Sequence, residues 1–145
     1  MKKIVVAVDL SPVAPAVCRA GCKLAREMNA PMELVYVVQA APLMAGDVYG
    51  LDGPYLEEMI RAMSAAGRQH LSRLARSCAK RGVKVRAFLR HGYPAGQILS
   101  QARGAQCIVL GSHGHGAVYN LVAGSTAQGV LHRARCPVLV VPAGR

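Results

Sequence analysis

The feature that most constrains this chain is the regular alternation of short apolar runs with helix-length segments. Residues 4–8 (Ile-Val-Val-Ala-Val), 33–38 (Glu-Leu-Val-Tyr-Val-Val), 107–110 (Cys-Ile-Val-Leu) and 138–141 (Val-Leu-Val-Val) are apolar and rich in β-branched residues, without polar alternation. Strands buried on both faces of a sheet read this way. A fifth run, 83–89 (Val-Lys-Val-Arg-Ala-Phe-Leu), does alternate and is expected at a sheet edge with one face exposed. The segments between have helical spacing. Ser11-Pro12 reads as an N-cap followed by proline at N1, and Val13, Val17, Leu24 and Met28 continue the helix as far as Asn29. Pro31 marks the break. Leu56, Met59, Ile60, Met63, Gly67, Leu71, Leu74 and Cys78 mark one face of the clearest helix. Glu57 and Glu58 are expected in its first turn, Arg76, Lys80 and Arg81 in its last, and Gly82 at C′. Pro94 opens a short helix carrying Ile98, Leu99 and Ala102, closed by Gly104. A last helix over 124–134 turns Ala127, Val130, Leu131 and Ala134 inward, and Pro137 precedes the final strand.

The resulting order, β-α-β-α-β-α-β-α-β, predicts an α/β fold: a parallel sheet with helices on both faces, joined by right-handed crossovers. At 145 residues, with no repeat or linker, the chain is expected to form one domain over 1–145. Residues 40–53, with three glycines and no steady period, form a long loop and a candidate lid. About half the residues are apolar, enough for a core; with one Phe and no Trp, that core must be aliphatic.

Charge narrows the partners only to anions. Eighteen Lys and Arg against seven Asp and Glu give +11, much of it between Arg61 and Arg90, read as a solvated basic face. No aromatic–basic interleaving or helix-turn-helix pattern accompanies it, so nucleic acid is an unlikely partner and any such binding should be weak and salt-dependent. Five cysteines without a CxxC read as buried reduced thiols. Cys18 and Cys22 can share a helix face, but two thiols do not make a zinc site. The N-terminal apolar run stops at Asp9, too short for a signal peptide, and no stretch reaches the roughly 18 apolar residues of a membrane helix. The expectation is a soluble, cytoplasmic protein without membrane contact.

In an open parallel sheet, ligands bind beyond the C-terminal strand ends, where the strand order reverses. Those ends are Asp9, Val37-Val38 and the stretch Gly111-Ser112-His113-Gly114-His115-Gly116. Gly124, Ser125 and Thr126 then open a helix, whose N-terminus offers unpaired N–H groups to phosphate. The glycines let the backbone turn tightly and approach a ligand. The segment is neither a Walker A loop nor a GxGxxG motif. His113 and His115 have a spacing that could suit a metal, yet no third ligand is evident; they read as polar loop residues flanking phosphate. Asp9 can cap the turn near Ser11 or face a ligand, and its place at the crevice favours the ligand.

Gly111, Gly114 and Gly124-Ser125 match the spacing Gly-x2-Gly-x9-Gly-Ser/Thr. With Ile-Val-Val-Ala-Val-Asp, Ser11-Pro12, Pro94-Ala95 and Cys-Pro-Val-Leu-Val-Val, the chain resembles the nucleotide-binding type of universal stress protein over nearly its whole length. The resemblance implies a Rossmann-like open five-stranded sheet in the order 3-2-1-4-5, as in adenine nucleotide alpha hydrolases. It implies ATP, AMP or ADP as ligand, with magnesium held through the phosphates and Asp9. Asp9 would lie by ribose and adenine, the Val37 backbone at the adenine edge, Gly111 and Gly114 along ribose and phosphates, and Gly124, Ser125 and Thr126 over the phosphates. The candidate nucleotide-binding set is completed by Leu110, His113 and His115. Tyr36 stands where many members carry His, and Gln106 where Asp is frequent. The resemblance also implies a homodimer through Val138–Val141, a strand that, at an edge, would leave apolar surface bare. No catalytic base is obvious, so a nucleotide-dependent regulatory or stress-response role is expected, its client protein unknown. The alternative is a slow ATP hydrolase or self-phosphorylating protein.

Overall fold

The computed structural model describes residues 2–39, 53–113 and 123–143. Five parallel strands, β1 (Ile4–Val8), β2 (Met32–Val38), β3 (Val85–His91), β4 (Cys107–Gly111) and β5 (Val138–Val141), lie in the order β3-β2-β1-β4-β5. Among the described residues four helices connect them: α1 (Ala14–Glu27), α2 (Gly53–Lys80), α3 (Pro94–Gln101) and α4 (Ser125–Arg133). Helices cover both faces, so the expected α/β sheet is the one observed.

Alternate residues of the strands feed two cores. Ile4, Val6 and Val8 of β1 and Leu34 and Tyr36 of β2 pack against α1 and α2. Val5, Ala7 and Val35 pack on the other face with Ile98 of α3 and Val130 of α4. α1 buries Ala14, Val17, Cys18, Gly21, Cys22 and Ala25, the three-and-four spacing of a single helix face. Cys18, Cys22 and Cys78 come together in this core. Burial and the neighbouring Cys78 push the Cys22 thiol up to about 12, and a hydrogen bond with Cys18 and burial push Cys78 up as well. Protonated thiols are poor metal ligands.

Several element ends differ from expectation, each for a local reason. Ser11 is not an N-cap: α1 begins at Ala14 with Val13 in the cap position and no side-chain cap bond. The Asp9 carboxylate instead accepts the Ser11 N–H at 2.8 Å, and the Ser11 carbonyl accepts the Ala14 N–H, forming a turn before the helix. α1 stops at Glu27, not Asn29, and Met28 is exposed. α2 reaches back to Gly53, since Pro54 is tolerated in a first turn; Glu57 and Glu58 therefore lie beyond that turn. The third strand runs over 85–91, not 83–89. Val83 is consumed in closing α2: its N–H donates to Cys78 O and that of Gly82 (φ +81°) to Ala79 O, the Schellman pair, with Val83 buried over Cys78. α3 ends at Gln101, before Gly104. Leu131 faces solvent rather than the core, because α4 packs through Ala127, Val130 and the adjoining Ala134.

Candidate functional site

Strand order reverses between β1 and β4. β1 leads through α1 to β2 on one side, and β4 leads through α4 to β5 on the other. The two strand ends therefore splay their connections apart and leave a crevice. It has a volume of about 690 Å³, within the range of small-molecule sites.

One end of the crevice is apolar, lined by Ala7, Val35, Pro94, Ile98 and Leu110. Val37 lies beside them. The Ile4 N–H bonds Pro31 O and the Met32 N–H bonds Lys84 O, so odd-numbered residues here turn their backbone groups toward β1 and even-numbered ones toward β3. β1 ends at Val8, opposite Tyr36. The Val37 carbonyl thus points past the end of β1, with no backbone partner among the described residues.

The other end is polar, built by Ser112, His113, Gly124, Ser125 and Thr126. α4 starts there with Gly124 as cap and no capping side chain, so its first N–H groups face the crevice without intrahelical partners. Gly111 and Gly124 line the same space, yet neither has a left-handed backbone; Gly124 sits at φ −70°, ψ 171°. Their value is clearance, not the tight turn that glycine-richness suggests. Ser112 holds the loop. Its N–H donates to Val141 O (2.8 Å), its carbonyl accepts the Gly124 N–H (2.6 Å), and its Oγ accepts the Ala143 N–H (3.1 Å). That Oγ also lies 3.1 Å from His113 Nδ1.

Asp9 stands between the two ends, at the tip of β1. Its Oδ1 accepts the Ser11 N–H in the turn before α1, so it does not cap the helix, whose cap position is Val13. Tyr36 and Met63 close the wall toward α2. Burial, then the charge of Asp9, raises the Tyr36 hydroxyl above its ordinary value. No Lys or Arg lines the crevice among the described residues.

The fold thus brings Asp9, Val37, Leu110, Gly111, His113, Gly124, Ser125 and Thr126 to one cavity. Gly114 and His115 lie outside the described residues, as does the candidate lid over 40–53 except for Gly53, which opens α2 instead. Ser11 and Ser112 were not singled out by sequence for the site. Ser11 is 4% exposed, and its Oγ has no hydrogen-bond partner among the described residues; neither has the buried Nε2 of His113. Its spacing two residues beyond Asp9 was the available signal for Ser11. Among the described residues no group of His, Cys, Asp or Glu could hold a metal ion, and no helix is long and apolar enough to cross a membrane.

The sequence model of the Universal stress protein family matches residues 1–142. A universal stress protein of Methanocaldococcus jannaschii is 30% identical over 143 residues, covering 97% of this chain and 81% of its own. The solved structure of the universal stress protein UspA from Lactobacillus plantarum superposes with a TM-score of 0.84 at 25% identity, covering 97% of each chain. A universal stress protein from Archaeoglobus fulgidus in complex with dAMP shares the fold, with a TM-score of 0.68 at 23% identity and 97% of each chain covered.

Proposed function

The chain belongs to the universal stress protein family, and from that premise we propose that it is a regulatory protein that binds an adenine nucleotide in the crevice between β1 and β4. The observation that carries this reading is the convergence on one crevice of apolar strand-end residues, the carboxylate-bearing Asp9 and the uncapped N-terminus of α4 with Ser125 and Thr126. The uncapped α4 N-terminus, Ser125 and Thr126 supply the donors, so phosphate is held by neutral groups and the helix dipole. His113 Nδ1 lies 3.1 Å from the Ser112 hydroxyl, which ties the ring to the loop beside these donors.

The apolar end suits a flat base, and the Val37 carbonyl is an acceptor for its amino group. Asp9 then faces the sugar. Gly111 and Leu110 lie under the ribose, and Gly114 and His115 complete the phosphate loop by the family spacing. The dAMP complex of the Archaeoglobus protein supports the ligand class. ATP, ADP and AMP are the candidates, with magnesium, where bound, held by phosphates and Asp9. Five free cysteines, four of them buried, suit the reducing cytoplasm.

Calorimetry with ATP, ADP and AMP, with and without magnesium, tests the proposal. Saturable heat for at least one is expected, lost in Ser125→Ala/Thr126→Ala; no heat for any overturns it. Slow hydrolysis or self-phosphorylation is the second reading, carried by Asp9 as the acidic side chain lining the crevice. The absence of a lining cation argues for slow turnover at most, since phosphoryl transfer depends on positioned positive charge. Phosphate release that scales with protein and vanishes in Asp9→Ala would establish it.

A further inference from the structure

The Asp9 carbonyl is the first beyond the β1 ladder and accepts no backbone N–H among the described residues. Its partner comes from 61 residues away: His70 Nε2 of α2 lies 2.9 Å from it. A carbonyl only accepts, so Nε2 carries the proton and donates. On its other side, Asp9 Oδ1 accepts the Ser11 N–H at 2.8 Å. Asp9 is therefore held at two points, main chain by His70 and side chain by Ser11, and Oδ2 has no hydrogen bond among the described residues. One turn before His70, α2 approaches β2 so closely at Gly67 that the Tyr36 ring packs against the helix backbone. This contact fixes the height at which His70 meets β1.

We propose that His70 is a positioning residue for the ligand site: it orients Asp9 so that the free carboxylate oxygen accepts hydrogen bonds from the sugar hydroxyls, making the crevice selective for ribonucleotides over 2′-deoxyribonucleotides. The inference rests on the nucleotide reading above and assigns His70 a role in sugar discrimination, acting through Asp9 without touching the ligand. A merely structural His70 would change stability and weaken both sugars alike.

The test measures ATP and 2′-deoxy-ATP affinity by calorimetry, beside thermal unfolding, for the full chain and its variants. The wild type is expected to favour ATP. In His70→Leu, which removes the donor and keeps bulk, ATP affinity should fall about fivefold, the effect of one neutral hydrogen bond, while 2′-deoxy-ATP affinity changes little. His70→Gln, whose amide can reach the same carbonyl, should restore the preference. His70→Asn, too short to reach, replaces the leucine variant if that does not fold. Equal loss for both nucleotides, or an unchanged ratio in a folded donor-less variant, overturns the proposal. A wild type that binds neither nucleotide overturns the underlying nucleotide reading instead.

Discussion

Gly67 stands in the middle of a 28-residue helix, where glycine costs about 1 kcal/mol relative to alanine. Its reason is Tyr36. A Cβ at Gly67 would lie 2.5 Å from Tyr36 Cε1 and 3.1 Å from Leu89 Cδ1, both held by the sheet. Overpacking of this kind costs about 1–3 kcal/mol and outweighs the gain in helix propensity. Gly67→Ala should therefore lower stability by about 1 kcal/mol in chemical denaturation, whereas in a Tyr36→Val background it should raise it. A reversal of sign between backgrounds is the outcome to look for. The spacing placed Gly67 on the buried face of its helix, but nothing local in the sequence said which side chain required the missing Cβ.

Individual elements were legible in type and less so at their ends. The apolar runs became strands because β-branched residues pack well in a doubly covered sheet. The third strand slipped by two residues because Val83 contributes more as the buried partner of a Schellman closure than as a strand residue. Glu33 is the feature of β2 that periodicity alone does not explain. It lies in the buried strand, where its Oε2 meets Lys3 Nζ at 2.8 Å and Gln101 Nε2 at 2.6 Å. Gln101 in turn accepts from Arg90, so the network ties β1, β2, β3 and α3 together. Burial pushes the Glu33 carboxyl up, but the hydrogen bonds from Lys3 and Gln101 and the charges of Lys3 and Arg86 outweigh it, leaving it below 4.5. A carboxyl lowered on folding stabilises the protein above its unfolded value, and that contribution is lost as pH falls through the folded one. Wild-type melting temperature should therefore drop below about pH 4.5 more steeply than that of Glu33→Gln. The variant should be about 1–2 kcal/mol less stable at pH 7, with the two curves converging in acid.

At the scale of the whole molecule, the sheet leaves two edges and treats them differently. β3 carries Arg86 and Arg90 on either side of Phe88, each about 5 Å from its ring centre, and such charges discourage strand pairing. β5 carries no charge, and Leu139 is 41% exposed; on the helix before it, Leu131 is 46% exposed. We propose that β5 pairs with its own copy across a two-fold axis. Sedimentation at micromolar concentration should give a dimer, and Leu139→Lys a monomer that retains nucleotide affinity. A wild-type monomer would exclude the arrangement. Ser112 joins this edge to the crevice, since it bonds the chain at both Val141 and Ala143.

The sequence by itself determined the fold class, the inward face of most of α2, and the strand ends at which a ligand would sit; of the face expected for α1 only Val17 is fully buried. These follow from periodicity, and burial of one face acts on every turn of a helix or pair of strand residues alike. The spacing from Gly111 to Gly124 also marked the polar end of the crevice, because a return to a helix N-terminus is a local event. Only the tertiary structure decided that Asp9 is held by His70, that Tyr36 needs Gly67, that Leu131 faces outward, and that Ser11 Oγ and His113 Nε2 are buried without partners among the described residues. Each of these depends on residues far apart in the chain meeting within hydrogen-bond or van der Waals distance. Such meetings are set by how the helices dock on the sheet, and no local pattern encodes that docking.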